Sequence, residues 1–173
     1  MPHPVDFSTL SLKDALDLAI LVEEEAQERY EEFVHQLGLH HTDEAGRFFA
    51  HMAENEKKHG DALAARRREL FGDAARTVTR QMLWDVEAPD YDAARMFMSV
   101  RQAAETALAC ETKAYDFFVG ALPHVKDADV RALFAELKQE EIEHQEMVKN
   151  LLVKLPPESG VDPLDYADEP VGL

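Results

Sequence analysis

Residues 11–30 of the chain, slid forward by 88 positions (from 11 to 99), fall on a second copy of their own pattern. Ser11 lies over Ser99, Ala15 over Ala103, Ala19 over Ala107, Glu23 over Glu111, Ala26 over Ala114 and Tyr30 over Phe118. Residues 49–63, slid by 85 (from 49 to 134), place Phe49-Ala50 over Phe134-Ala135, Glu56 over Glu141 and His59 over His144. Strand signals are almost absent, and alanine, leucine, glutamate, lysine and arginine recur with the 3.6-residue period of a helix. The repeat therefore confines the chain to two like helical hairpins.

Local signals set the expected elements. Ser11 with Asp14 opens a first helix that runs to about Leu37, with Gly38 expected to stop it. A second helix starts after Thr42 or Asp43 and ends near Phe71, ahead of Gly72. Residues 73–98 lack a clear period and form a long connection with at most one short helix. Ser99 with Gln102 makes a second capping box, opening a helix to Ala121 that stops before Pro123. The fourth helix covers Ala128 to Lys154 and ends at Pro156-Pro157. Short loops within each hairpin make its helices antiparallel, and the long middle connection fits an all-α four-helix bundle with one crossover. The domain is expected over residues 8–154, followed by an acidic, Pro-containing tail, residues 155–173, expected to be mobile.

On a helical wheel, Leu12, Leu16, Ala19, Ala26, Tyr30, Phe33, Val34 and Leu37 fall within roughly 80° of Glu23. Glu24, Glu25, Glu28, Glu31 and Glu32 fall on the other, solvated side. Glu23 thus sits in the middle of the stripe that must face the core. Glu111 repeats this among Val100, Ala103, Ala104, Ala107, Ala114, Phe118 and Leu122. The other two helices each carry Glu-x-x-His, Glu56 with His59 and Glu141 with His144, a spacing that puts both side chains on one face. Those faces are apolar too, with Phe49, Met52 and Leu63 in one and Phe134, Leu137 and Val148 in the other. One Glu-x-x-His is ordinarily a surface pair. Two in matching registers, each partnered by a centred glutamate, point to metal.

Isolated buried carboxylates cost several kcal/mol each, and four together cannot all stay ionised without compensation. Two divalent cations would balance four carboxylates. This is the donor set by which four-helix carboxylate proteins hold di-iron or di-manganese centres. Oxygen and imidazole donors without thiolate suit iron or manganese better than copper or structural zinc. The expected ligands are Glu23, Glu56, His59, Glu111, Glu141 and His144.

The motifs Glu23-Glu-Glu-Ala-Gln-Glu-Arg-Tyr30, Asn55-Glu-Lys-Lys-His59, Glu111-Thr-Lys-Ala-Tyr-Asp-Phe-Phe118 and Gln139-Glu-Glu-Ile-Glu-His144 carry a resemblance. Over residues 8–154 the chain resembles the rubrerythrin and bacterioferritin branch of the ferritin-like superfamily. The resemblance implies a ferritin-like bundle whose two irons are bridged by Glu56 and Glu141. Glu23 with His59 would serve one iron, and Glu111 with His144 the other; manganese or zinc are possible substitutes. Rubrerythrins carry a further glutamate three residues after the third-helix ligand, where this chain has Ala114. They also usually carry a rubredoxin domain, which a single cysteine cannot supply, so electrons are expected from an external donor.

The expected function is that of a di-iron oxidoreductase reacting Fe(II) with dioxygen or hydrogen peroxide. Iron binding or storage, and a structural bundle holding zinc or nothing, stand as alternatives. Composition narrows the partners. Lys plus Arg number 18 against 35 Asp plus Glu, a net charge of -17, which repels nucleic acid and anionic membrane surfaces. No apolar run approaches a membrane span and no signal peptide is evident, so the expected compartment is the cytoplasm and the expected assembly a homodimer. Cys110 reads as a packed small residue and His40-His41 as exposed turn residues. Tyr30 and Tyr115 read as core residues near the metal layer, able to hydrogen-bond a ligand.

Overall fold

The computed structural model describes residues 5–39, 43–82 and 98–157. Among the described residues there are four long helices: α1 (Leu12–Leu39), α2 (Asp43–Phe71), α3 (Val100–Ala121) and α4 (Ala128–Lys154). There are no strands among the described residues, and the architecture is an all-α, ferritin-like four-helix bundle. No described helix is long and apolar enough to cross a membrane. Expectations for His40-His41, for the connection between residues 83 and 97, and for the tail from residue 158 lie outside the described residues.

The helix starts follow their capping chemistry. Ser99 accepts from the Gln102 backbone N–H, while the Gln102 side chain accepts from Ser99 N. Asp127 caps α4 by accepting from the backbone N–H groups of Asp129 and Val130, orphan donors at any helix N-terminus. One expected stop is overturned. Gly38 lies inside α1, which continues to Leu39, because a glycine only weakens a helix unless the backbone turns left-handed there. Gly72 does turn: its φ is +56° and its N–H donates to Arg68 O at 2.9 Å, closing α2.

The core is two apolar clusters. One joins the second half of α1 (Ala26, Tyr30, Phe33, Leu37), the first half of α2 (Ala45, Phe49, Met52, Ala53), the start of α3 and Val148 of α4. The other joins the first half of α1, Leu63 of α2, Phe118 and Ala121 of α3, and Val130 to Leu137 of α4. Hence α2 and α3 begin at the same end of the bundle, as a crossover along its length requires. Arg101 at the start of α3 donates to the carbonyls of Leu152, Leu155 and Pro156, tying that end to the close of α4.

The crossover begins on the outer face of α1. Residues 15–23 of α1 are buried all round, including Asp17, which has no exposed surface. Arg67 of α2 donates from Nε to Asp17 Oδ1 at 2.8 Å and from Nη1 to Gly72 O at 2.9 Å. Lys13 donates to Asp17 Oδ2 and to Ala75 O, both at 3.0 Å. Farther along, Arg76 pairs with Glu24 and Arg80 with Glu28, so the chain leaving α2 runs beside α1.

The two glycines make opposite expectations. Gly72→Ala forces a Cβ into left-handed backbone and should cost about 1–2 kcal/mol. Gly38→Ala meets no atom within 4 Å and removes only backbone freedom, so it should add about 0.5–1 kcal/mol. Denaturant melts of both variants check the signs.

Candidate metal centre

The two clusters do not touch through a continuous apolar seam. Between them each helix turns a polar side chain inward: Glu23 from α1, Glu56 and His59 from α2, Glu111 from α3, Glu141 and His144 from α4. Glu111 is fully buried, Glu56 is 1% exposed, Glu141 2%, Glu23 4% and His144 5%; His59 is half-buried. Where α1 passes α2 at this level, a Cβ on Gly60 would lie 3.4 Å from Glu23 Cβ, in ordinary van der Waals contact.

Five of the six expected residues fall into two groups that share His144. Glu56, His59 and His144 offer donor atoms within 4.8 Å of one another, and so do Glu111, Glu141 and His144. Glu23 is outside both groups but lies close enough to Glu56 for their charges to repel. The His59 and His144 rings stack at 4.8 Å with 8° between their planes. His144 Nδ1 meets Glu111 Oε2 at 3.0 Å, and the Tyr30 hydroxyl donates to Glu111 Oε1 at 3.2 Å.

Several of these atoms have no partner. Glu23 Oε2, both oxygens of Glu56, Glu141 Oε2 and His59 Nδ1 are buried without a hydrogen bond. Buried polar atoms of folded proteins are nearly always satisfied. Five orphans converging among oxygen and imidazole donors suit divalent cations, so the residues fit the metal pair that the donor set implies.

Electrostatics carries the same signature. Burial, and then repulsion from Glu56, raises the Glu23 carboxyl well above its ordinary range. Burial and then the charge of Glu111 push Glu56 up to about 7 and Glu141 up to about 11. Burial and then the neighbouring His144 lower His59. For His144, burial is the largest single influence and opposes the charged form, but the hydrogen bond to Glu111 and the charges of Glu111, Glu56 and Glu140 together outweigh it, and the net shift is upward. Without metal, the cluster holds protons.

A family model for rubrerythrin matches residues 14–152. The chain belongs to the rubrerythrin family. Its fold is similar to the crystal structure of an uncharacterized conserved protein from Magnetospirillum magnetotacticum MS-1, at a TM-score of 0.67 and 25% identity, over 88% of this chain and 100% of that one. None of the curated proteins matches it. Against the rubrerythrin pattern, Ala114 is fully buried and brings no donor to the layer.

Among the remaining candidates, Cys110 is buried and its thiol donates to Thr106 O at 3.2 Å, as a packed helical cysteine does. Tyr30 is both a core ring, stacked on Phe49, and a donor to the site; Tyr115 is half-buried. Two features escaped the sequence reading. Asp17 had a visible signal, the single charge in the apolar run Ala15 to Val22. Glu140, half-buried beside Glu141, had none beyond its adjacency.

In the metal-free protein, carboxyls raised above the ordinary 4.5 contribute stability that is full below that pH. It is lost as pH rises through about 7 for Glu56 and about 11 for Glu141. Melting temperatures of metal-free protein should therefore fall steadily from about pH 5 to about pH 9. Saturating divalent metal should flatten or reverse the slope.

Proposed function

We propose that this protein is a di-iron carboxylate oxidoreductase, reacting Fe(II) with dioxygen or hydrogen peroxide. The observation that carries this reading is the set of orphaned, deeply buried oxygens and one imidazole nitrogen between two apolar clusters. Membership of the rubrerythrin family supports it. Glu56 and Glu141, with Glu23 and His59 from one hairpin and Glu111 and His144 from the other, would hold the pair. When bound, an iron pair supplies two electrons to the oxidant.

The chain's own residues then have definable tasks. Four carboxylates offset the four charges of two divalent cations, so the filled layer is neutral within a low-dielectric core. Glu56 and Glu141, whose carboxyls burial pushes toward the protonated form, give up any bound protons as cations enter. Tyr30 holds Glu111 by its hydroxyl and thereby fixes which way that carboxylate faces. Phe49, Met52, Leu63, Phe134 and Leu137 belong to the apolar clusters on either side of the layer and keep bulk water away from it. Re-reduction falls to an external electron donor.

Titration of metal-free protein with Fe(II) under anaerobic conditions should end at two ions per chain. Admission of peroxide with a reductant should then give turnover. Glu141→Ala should abolish the second equivalent and lower turnover by about 100-fold or more, and Tyr30→Phe should weaken metal binding about tenfold. Saturation at zero ions, or turnover indifferent to Glu141, overturns the reading.

A further inference from the structure

Of the six side chains that turn into the layer, five are no more than 5% exposed, and His59 alone is half-buried. Its Nδ1 is nonetheless buried and without a hydrogen bond. One residue therefore reaches from solvent to the interior of the site. Its place on the helix explains this. At roughly 100° per residue, His59 lies about 60° round α2 from Glu56, at the edge of the apolar stripe. Arg66, Asn55 and Ala62 follow in the same direction, at about 80°, 100° and 120°. Arg66 and Asn55 are half-buried and Ala62 is exposed.

That flank of α2 borders α4. Arg66 Nη1 donates to Glu136 Oε2 at 3.0 Å, and the His59 ring stacks on that of His144. The two contacts lie two helical turns apart and mark one seam between the hairpins. Between them the flank carries Ala62, whose single methyl group covers little of it. On the α2 side, Asn55 and Ala62 bring no charge and Arg66 is paired, so this edge has nothing to hold an ion. The net charge of -17 repels anions from the whole surface.

We propose that the centre opens to solvent at His59, on the seam between α2 and α4, and that this opening admits a small uncharged oxidant such as hydrogen peroxide. This rests on the di-iron reading above and gives it a route of access. The test uses diethyl pyrocarbonate, which acylates accessible neutral imidazole, with the modified histidines read by peptide mass mapping. In metal-free protein His59 should react at a rate comparable to that of the exposed His51, while His144 stays unmodified over the same interval. Ala62→Trp lays an indole back over the preceding turn, as helical side chains lean, and should slow His59 about fivefold or more. Ala65→Trp puts the same indole on the face of α2 opposite Glu56 and should leave His59 unchanged. With Fe(II) loaded, stopped-flow oxidation by hydrogen peroxide should slow by a similar factor in Ala62→Trp and not in Ala65→Trp. Wild-type His59 that is unreactive, or no faster than His144, overturns the proposal. So does an Ala62→Trp variant that matches Ala65→Trp in either measurement. Bound Co(II) should shield His59 from acylation. Wild-type protein that takes up no Co(II) overturns the metal-centre reading itself, and the oxidant route with it, even where His59 reacts.

Discussion

Four carboxylates from four different helices meet where a bundle would ordinarily place leucine, and the rest of the structure is arranged around that meeting. In a low-dielectric interior such groups are tolerated as protonated acids or as ligands, but not as free anions. The apolar core is accordingly divided, one cluster above the layer and one below. Each cluster fastens all four helices at its own level. Their joint effect is to hold the polar layer in place from both sides, so that its geometry depends on packing that is not itself polar.

The duplication in sequence leads to near symmetry of donors, and the differences between halves are informative. Glu111 is hydrogen-bonded by Tyr30 and by His144, whereas Glu23 keeps an orphaned oxygen and His59 an orphaned nitrogen. The repeat explains part of this. Phe118 stands where Tyr30 stands in the other hairpin, and a phenyl ring has no hydroxyl to offer. Two positions built from equivalent ligands are thus supported unequally by what surrounds them.

Much of this was legible in the residues. Helical period, caps and the Glu-x-x-His pairs marked out four helices, and α4 runs from Ala128 to Lys154 as its signals required. The inward aim of Glu23 and Glu111 followed from their central place in an apolar stripe. What escaped is a weak local cost in one case and a non-local partner in the other. Gly38 reads as a stop by residue type, but its helix continues because propensity alone sets only a weak cost. Asp17 is bonded by an arginine 50 positions away and by a lysine one turn back, and a wheel drawn for one helix cannot show who covers its outer face.

The fastening of the chain along that outer face is graded. Near Gly72 it rests on a carboxylate with no exposed surface and on backbone carbonyls gripped by Arg67. Toward Arg80 it rests on pairs whose side chains are 38% to 57% exposed. Dissolved ions screen exposed pairs far more than buried ones. Rising ionic strength should therefore peel this strap from its Arg80 end while its root stays fixed, so that salt sets how much of the stretch from Gly72 to Arg80 lies against α1.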